Sequence, residues 1–357
     1  MKEFFFLHPT YKSVLALGAE SAGNYCFFDN NKISYFEDLG DLLLDQNFRK
    51  YKKSLQDFLE KNNFKPNVIL VDFYSDFKTS QFGQDLAKRY SADLVTVQHH
   101  FAHAASVYLE DLTRPENFIA IACDGTGLGL DGKIWGGEAI TYKNIKFKRV
   151  ASLEEHRLMS GDMSIEFPAR MLVSILLKIY PAEKVWQFVN KYFTNQEFTV
   201  FKNQWQQDFN CVVTSSTARV LDAVAVLLGF AENKRDYKHQ PVDLLEKNST
   251  RAYDLEPEIK NNQLSTSFLF KYLVANLDQD KQRLAATAQV YLAQGLYKLA
   301  KQQDIEPIYF SGGMANNKLM SEYLFSQGVK VNQKIPRGDG GISVGQLMYY
   351  FLTNPGD

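Results

Sequence analysis

Cysteine is scarce in this chain of 357 residues: Cys26, Cys123 and Cys211 lie far apart and form no CxxC pair. That spacing excludes a structural zinc finger and a disulfide framework. No run of about twenty apolar residues occurs, the length a membrane-spanning helix needs. The start, MKEFFFLHPTYKSVLALGAE, has an apolar patch, but Glu3 breaks the basic segment of an export signal and no stop-transfer span follows. Charge of one sign is also missing, since 40 Lys+Arg face 41 Asp+Glu. Proteins that neutralise many phosphates carry a cationic excess, so nucleic acid is not an expected partner. These absences leave a cytoplasmic globular chain, 45% hydrophobic, long enough for one large domain or two lobes.

The order of elements repeats. Ser13–Glu20 and Asn24–Asp29 are short apolar runs split by Ser-Ala-Gly, a hairpin signal, and Lys32–Gly40 reads as a third strand. Phe48, Tyr51, Leu55 and Phe58 then fall on one helix face. The Arg49–Lys53 run on that helix reads as a solvated face rather than a binding patch. A strand over Asn67–Tyr74, a helix over Phe82–Ser91 and a strand over Asp93–Gln98 follow. Later, Phe118–Gly127, Lys133–Tyr142 and Phe147–Leu153 read as three strands. Pro307–Met314 (strand), Asn316–Gly328 (helix), Val329–Lys334 (strand) and Gly341–Leu352 (helix) close the second unit. The pattern predicts two similar α/β lobes facing a cleft, at 1–112 and 113–357, with a mainly helical insert at about 154–300.

Four segments could carry chemistry. In VTVQHHFAHAAS, His99 and His103 stand four apart at a predicted helix start, with His100 between them. That spacing puts two imidazoles on one face, about 5–6 Å apart at Cβ, which suits one metal; a metal-free, hydrogen-bonded helix start is the other reading. No Glu follows the first His, so the zinc-protease HExxH pattern fails. In CDGTGLGLDGKIWGGE, Asp124 ends a strand and opens a Gly125–Thr126–Gly127 turn. Such a turn can let backbone N–H groups approach a phosphate, or can be an ordinary hairpin. In FSGGMANNK, Gly312 and Gly313 precede a helix start, which could bind an anion, but the lysine of a P-loop is absent. In PRGDGGISVGQ, Asp339 is either a helix N-cap or a second acidic metal ligand. Ligands at strand ends around a crevice are what open α/β sheets favour.

Read together and in order, VLALGAE, VTVQHHFAHAA, CDGTGLGLDGKIWGGE, SGDMSIEFPARM, TSSTARVLDAVAVLLG, FSGGMANNKL and PRGDGGISVGQ resemble the C-terminal carbamoyltransferase domain of the HypF family. That family is related to the TsaD threonylcarbamoyl transferases within the actin-like ATPase (ASKHA) superfamily, and the resemblance spans about Ser13 to Leu352. It implies a duplicated actin-like α/β fold with two lobes around a nucleotide and metal cleft. It implies a divalent metal, iron or zinc, held by His99, His103, Asp124 and Asp339. It implies nucleotide contacts, to the ATP or AMP moiety of carbamoyl-adenylate, from Gly125, Thr126, Gly127, Gly312, Gly313, Asp222 and Asn317. Asp124 and His100 are then the catalytic candidates, His100 orienting the carbamoyl group or taking a proton from an incoming thiol.

The implied acceptor is a HypE-like protein with a C-terminal cysteine, in nickel–iron hydrogenase maturation. A separate carbamoyl-adenylate-forming protein is the other implied partner. The chain departs from the family where Phe101 interrupts a HHHAH run and where Ala22 and Gly23 replace a Lys-Asn pair. Lys238 and His239 replace Glu and Gly, and Ala218 replaces Gly. The alternatives are a carbamoyltransferase for a small-molecule or tRNA-type acceptor and a non-catalytic nucleotide-binding scaffold.

Overall fold

The computed structural model describes residues 1–356. Its first half contains β1 (Lys2–Phe5), β2 (Val14–Ala16), β3 (Tyr25–Asp29), β4 (Lys32–Phe36), α1 (Asp45–Lys61), β5 (Val68–Asp72), α2 (Lys78–Tyr90), β6 (Asp93–Val97) and α3 (His99–Ser106). These strands form one sheet in the order β1-β4-β3-β2-β5-β6. Strands β2, β3 and β4 pair antiparallel, and β2, β5 and β6 pair parallel. Asn30 and Asn31 turn β3 into β4 with φ of 49° and 62°, the left-handed pair that a two-residue hairpin needs. Every residue of β5, VILVD, is buried, as expected of a parallel strand covered on both faces. Helix α1 buries Tyr51, Leu55 and Leu59, and the Tyr51 hydroxyl donates to the Leu17 carbonyl at 2.7 Å.

The second half begins with β7 (Phe118–Leu128), β8 (Ile134–Lys143) and β9 (Lys146–Leu153). An insert follows: β10 (His156–Met159), α4 (Asp162–Glu166), α5 (Ala169–Ile179), α6 (Ala182–Val189), α7 (Asn195–Gln207), β11 (Cys211–Thr214), α8 (Thr217–Leu228) and α9 (Gln240–Lys247). It continues through β12 (Ile259–Lys260), β13 (Gln263–Leu264), α10 (Thr266–Ala275) and α11 (Lys281–Lys301). The chain then returns through β14 (Ile308–Ser311), α12 (Lys318–Ser326), β15 (Lys330–Val331) and α13 (Ile342–Thr353). The central order β9-β8-β7-β14-β15 repeats β4-β3-β2-β5-β6, with the same parallel and antiparallel pairings. This duplicated α/β arrangement is the actin-like fold.

Two features escape the sequence pattern. Strand β1 pairs antiparallel with β4 at the sheet edge, and neither of its faces is buried, so no hydrophobic period marks it. The insert also contains β11, which pairs with β10 and reaches β8 through Thr214 and Ile134.

The two halves meet through α3 and α13, each the helix that follows the last strand of its sheet. A Cβ on Gly345 of α13 would sit 2.0 Å from the Ala102 carbonyl oxygen of α3, so only glycine permits this crossing. The apolar core around the pair draws on both sheets: Val14, Phe28 and Leu70 from the first, Phe118, Ile140 and Tyr309 from the second. No helix among the described residues is long and apolar enough to cross a membrane.

Candidate functional site

Gln98 opens α3 directly after β6, and its side-chain oxygen caps the helix by accepting from Phe101 N at 2.9 Å. The helix therefore starts with His99 and His103 on one face, their rings 4.7 Å apart and nearly perpendicular. Asp124 projects from β7 and Asp339 from the short 3₁₀ turn before α13. The His99 Nε2 atom lies 3.5 Å from both Asp124 Oδ2 and Asp339 Oδ1. His103 Nε2 lies 3.8 and 3.4 Å from the same two atoms. One ligand atom from each of the four residues falls within 4.8 Å of the others. Both Nε2 atoms and Asp339 Oδ1 are buried with no hydrogen-bond partner. Unsatisfied buried polar atoms are costly, and four converging N and O donors are what a divalent cation satisfies, so the residues fit one.

Supporting groups surround these four. His99 Nδ1 pairs with Asp72 Oδ2 at 2.7 Å, and Asp72 Oδ1 accepts from Tyr74 N at 2.9 Å. The Ser21 hydroxyl donates to Asp339 Oδ2, and Asn24 Nδ2 donates to the Asp339 carbonyl at 3.0 Å. Gly313 N donates to Asp124 Oδ1 at 3.3 Å. Burial opposes a charge on His99, but Asp72, Asp124 and Asp339 outweigh it and hold the imidazole well above its ordinary range. His103 is raised in the same way, against burial, by Asp124 and Asp339. Burial also opposes the charges of Asp124 and Asp339, yet the two histidines keep both carboxyls below the usual carboxylate range. The cluster is thus preset for positive charge at its centre.

His100 is fully buried beside the cluster. Burial first, and the charge of His99 second, push it well below its ordinary range. Trp135 packs against it at 5.7 Å between ring centroids, and the Arg149 guanidinium covers the indole at 4.8 Å. Arg149 is in turn paired with buried Glu138.

The expected Gly125–Thr126–Gly127 turn is not a turn: Asp124 does not end its strand, β7 runs on to Leu128 with a register shift between Cys123 and Gly127, and the chain reverses at Gly129–Lys133. A Cβ on Gly127 would come within 2.5 Å of His100 Cε1, so this end of β7 presses its bare backbone on the histidine pair. Gly312 has φ +95°, and a Cβ there would strike the Cys123 carbonyl at 2.1 Å. Gly313 is close enough that its Cβ would meet Asp124 Oδ1 at 2.9 Å. Gly125 and exposed Thr126 lie at the irregularity in β7, and Arg219 Nη2 would lie 3.5 Å from a Cβ on Gly125.

The structure therefore brings together His99, His100, His103, Asp124, Asp339, Gly127 and Gly313. Asp222 and Asn317 are engaged elsewhere. Asp222 is buried on α8 with Arg219 Nη1 2.8 Å away, and burial raises its carboxyl. Asn317 caps α12 by accepting from Met320 N and donates to Gln289 Oε1 at 2.7 Å. Among the departures, Gly23 is fitted against Leu42, whose Cδ2 a Cβ would meet at 2.4 Å, while Lys238 and His239 are exposed. Sequence reasoning missed Asp72, Gln98 and Arg219. Asp72 had a signal, an acid closing a buried strand; Arg219, in a helical run, had none.

Two family profiles match this geometry's owner. The one described as "HypF Kae1-like domain" covers residues 9–110. The one described as "Carbamoyltransferase, Kae1-like Domain, second subdomain" covers residues 120–346. The chain belongs to the HypF carbamoyltransferase family. It is 34% identical over 361 residues to "Probable carbamoyltransferase HypF" of Methanocaldococcus jannaschii, covering 96% of this chain and 47% of that protein. It is 26% identical to "Carbamoyltransferase HypF homolog" of Cupriavidus necator, covering 93% of this chain and 90% of the homolog. The chain thus spans about half the length of the first relative and nearly all of the second. The crystal structure of full-length HypF in its phosphate- and nucleotide-bound form superposes with TM-score 0.89 at 25% identity, over 100% of this chain and 58% of that one. HypF from T. kodakarensis gives 0.89 at 27% identity, over 98% and 48%.

Proposed function

We propose that this HypF-family domain transfers a carbamoyl group from carbamoyl-adenylate to the C-terminal cysteine thiol of a HypE-like protein, in the maturation of nickel–iron hydrogenase. The observation that carries the reading is the convergence of His99, His103, Asp124 and Asp339 beside Gly127 of β7 and the Gly313 turn. In this reading these four residues hold iron or zinc, since imidazole and carboxylate suit both. A bound divalent cation there supplies Lewis-acid stabilisation of phosphate charge.

The chain's own residues do the rest. In this reading the Gly125–Gly127 stretch of β7 and the Gly312–Gly313 turn face the phosphate with backbone groups, while the absent Cβ atoms of Gly127 and Gly312 let His100 and the Cys123 carbonyl pack closely. That the full-length relative is described as phosphate- and nucleotide-bound supports a nucleotide in this cleft. Asp222, beside Arg219 on α8, and Asn317, at the start of α12, are in this reading the contacts to the adenosine. In the transfer the thiol sulfur bonds to the carbamoyl carbon and the bond from that carbon to the phosphate oxygen breaks. AMP leaves, and the thiol proton ends on the freed phosphate oxygen. The lobes divide at 112/113, the work is cytoplasmic, and a separate protein supplies the carbamoyl-adenylate.

The test is a carbamoylation assay with purified chain and a HypE-like acceptor. With preformed carbamoyl-adenylate the acceptor gains one carbamoyl mass on its terminal cysteine; with ATP and carbamoyl phosphate alone it gains none. An unmodified acceptor in the first arm overturns the acceptor assignment, and modification in the second overturns dependence on a separate protein.

A further inference from the structure

The side chain of Gln98 is fixed at both ends by backbone groups whose hydrogen-bonding roles are not interchangeable. Its oxygen accepts from Phe101 N at 2.9 Å, which only an oxygen can do. Its nitrogen donates to the Leu128 carbonyl at 3.0 Å, which only a nitrogen can do. The amide orientation follows from these two partners, as amide assignments must. The same nitrogen lies 3.2 Å from His100 Nδ1. An amide nitrogen has hydrogens and no available lone pair, so it can only donate to that ring atom. Nδ1 must then be bare, and the single proton of the neutral ring sits on Nε2. Turning the ring over would face the second Gln98 hydrogen to a carbon.

That Nε2–H has no partner within the protein and no contact with solvent. A buried N–H left unpaired is costly, and a chain tolerates it where a ligand completes the bond. The ring carrying it lies 5.6 Å from that of His99 and 6.4 Å from that of His103. Gly127 backs its Cε1 edge and Trp135 its face, so the ring is held on three sides.

We propose that Gln98 is a positioning residue that holds His100 as an Nε2–H donor for the carbonyl oxygen of the group being transferred. The donor role rests on the transferase reading above; the fixed proton position does not. It also settles a choice left open by the sequence. A ring held in this form has no lone pair at Nε2 with which to take a thiol proton. His100 instead stabilises the oxygen that gains negative charge as the thiol attacks, in the manner of an oxyanion-hole donor.

The test has two independent readouts. The first is the side-chain 1H–15N correlation spectrum of the zinc-loaded full chain labelled in histidine, with His100 assigned by the signal lost in His100→Gln. Wild type shows Nε2 protonated and Nδ1 bare; a proton on Nδ1, or an average of both forms, overturns the proposal. In Gln98→Glu the carboxylate still caps Phe101 N but can only accept from the ring, so the proton moves to Nδ1. The second readout is steady-state transfer from preformed carbamoyl-adenylate. Gln98→Glu lowers kcat by roughly 100-fold, the scale of one lost oxyanion donor, with KM and zinc content unchanged. A variant whose proton has moved and whose kcat has not overturns the donor role. A wild-type chain that holds the Nε2 proton but transfers to no acceptor counts against the transferase reading, and leaves the positioning by Gln98 supported.

Discussion

His99 and Asp72 are paired at 2.7 Å through the ring nitrogen that faces away from the cluster, with the other nitrogen turned toward Asp124 and Asp339. The contact joins the end of β5 to the start of α3, so a buried strand sets the tilt of an imidazole. Such a partner fixes ring orientation and raises ligand basicity. Asp72→Asn is expected to weaken zinc binding by about 10- to 100-fold, the usual cost of losing this kind of support. Competition against a chromophoric chelator measures it, and an unchanged affinity would show that His99 is oriented by α3 alone.

Removal of a ligand should be more severe than removal of its support. His103→Ala leaves Asp124 and Asp339 facing one imidazole in place of two. We expect the purified variant to lose its stoichiometric metal, measured by elemental analysis. In wild type, a chelator should lower the melting temperature, because an ion that binds only the folded chain stabilises it by mass action. Equal melting with and without chelator would argue that no ion resides in the cluster.

Gly127→Ala separates site geometry from fold stability. The added methyl would lie 2.5 Å from His100 Cε1 and 3.2 Å from His99 Cδ2, so ring or strand must shift. Misplacement on the ångström scale costs about 100-fold in rate. The expected outcome is a large loss of transfer with near-normal far-UV circular dichroism. Full activity would place this end of β7 away from the reacting group.

Asp111 ties the chain's passage between lobes to the second sheet. Its Oδ2 accepts from the Tyr309 hydroxyl and from Lys330 Nζ, each at 2.8 Å. Burial works against its charge, but Lys330, Thr113 and Tyr309 together hold the carboxyl at about 2. A carboxyl lowered in the folded state contributes stability above its unfolded value and loses it as pH falls through the folded one. Acid unfolding between about pH 4 and 2 should therefore be steeper in wild type than in Asp111→Asn. At neutral pH the variant should be less stable by about 1–3 kcal/mol, the range for charged hydrogen bonds, as read from denaturant melts. Superimposable pH profiles would show that Asp111 contributes nothing to holding the junction.

Gly345→Ala tests the crossing of α3 and α13. A methyl 2.0 Å from the Ala102 carbonyl forces the helices apart, at a cost of about 1–3 kcal/mol for overpacking. A melt shifted by less than a degree would mean the helices separate freely.

The duplication was legible because the central strands announce themselves locally: VILVD and FIAIAC are continuous apolar runs, and the α1 face repeats at helical spacing. The histidine pair was legible for the same reason, since i and i+4 share a face. Asp339 and Asp124 were visible as acids among glycines, but Asp124 meets α3 from a different strand and Asp339 from more than 200 positions away, which no local pattern encodes. Strand β1 was missed because each of its faces carries one charged and one aromatic residue, so the alternation of half-buried and exposed positions leaves no apolar period in KEFF. Gln98 was missed because its importance is relational: a helix cap reads as a cap, and its second bond exists only once Leu128 and His100 stand beside it.

The close approach of Gly345 to Ala102 has a mechanical consequence. His99 and His103 ride on one of the touching helices, and Asp339 stands at the entrance of the other. This close approach between the halves is therefore next to the four clustered residues. The cluster lies beside the helix crossing that joins the halves, so a substitution that spreads the crossing also spreads the four residues.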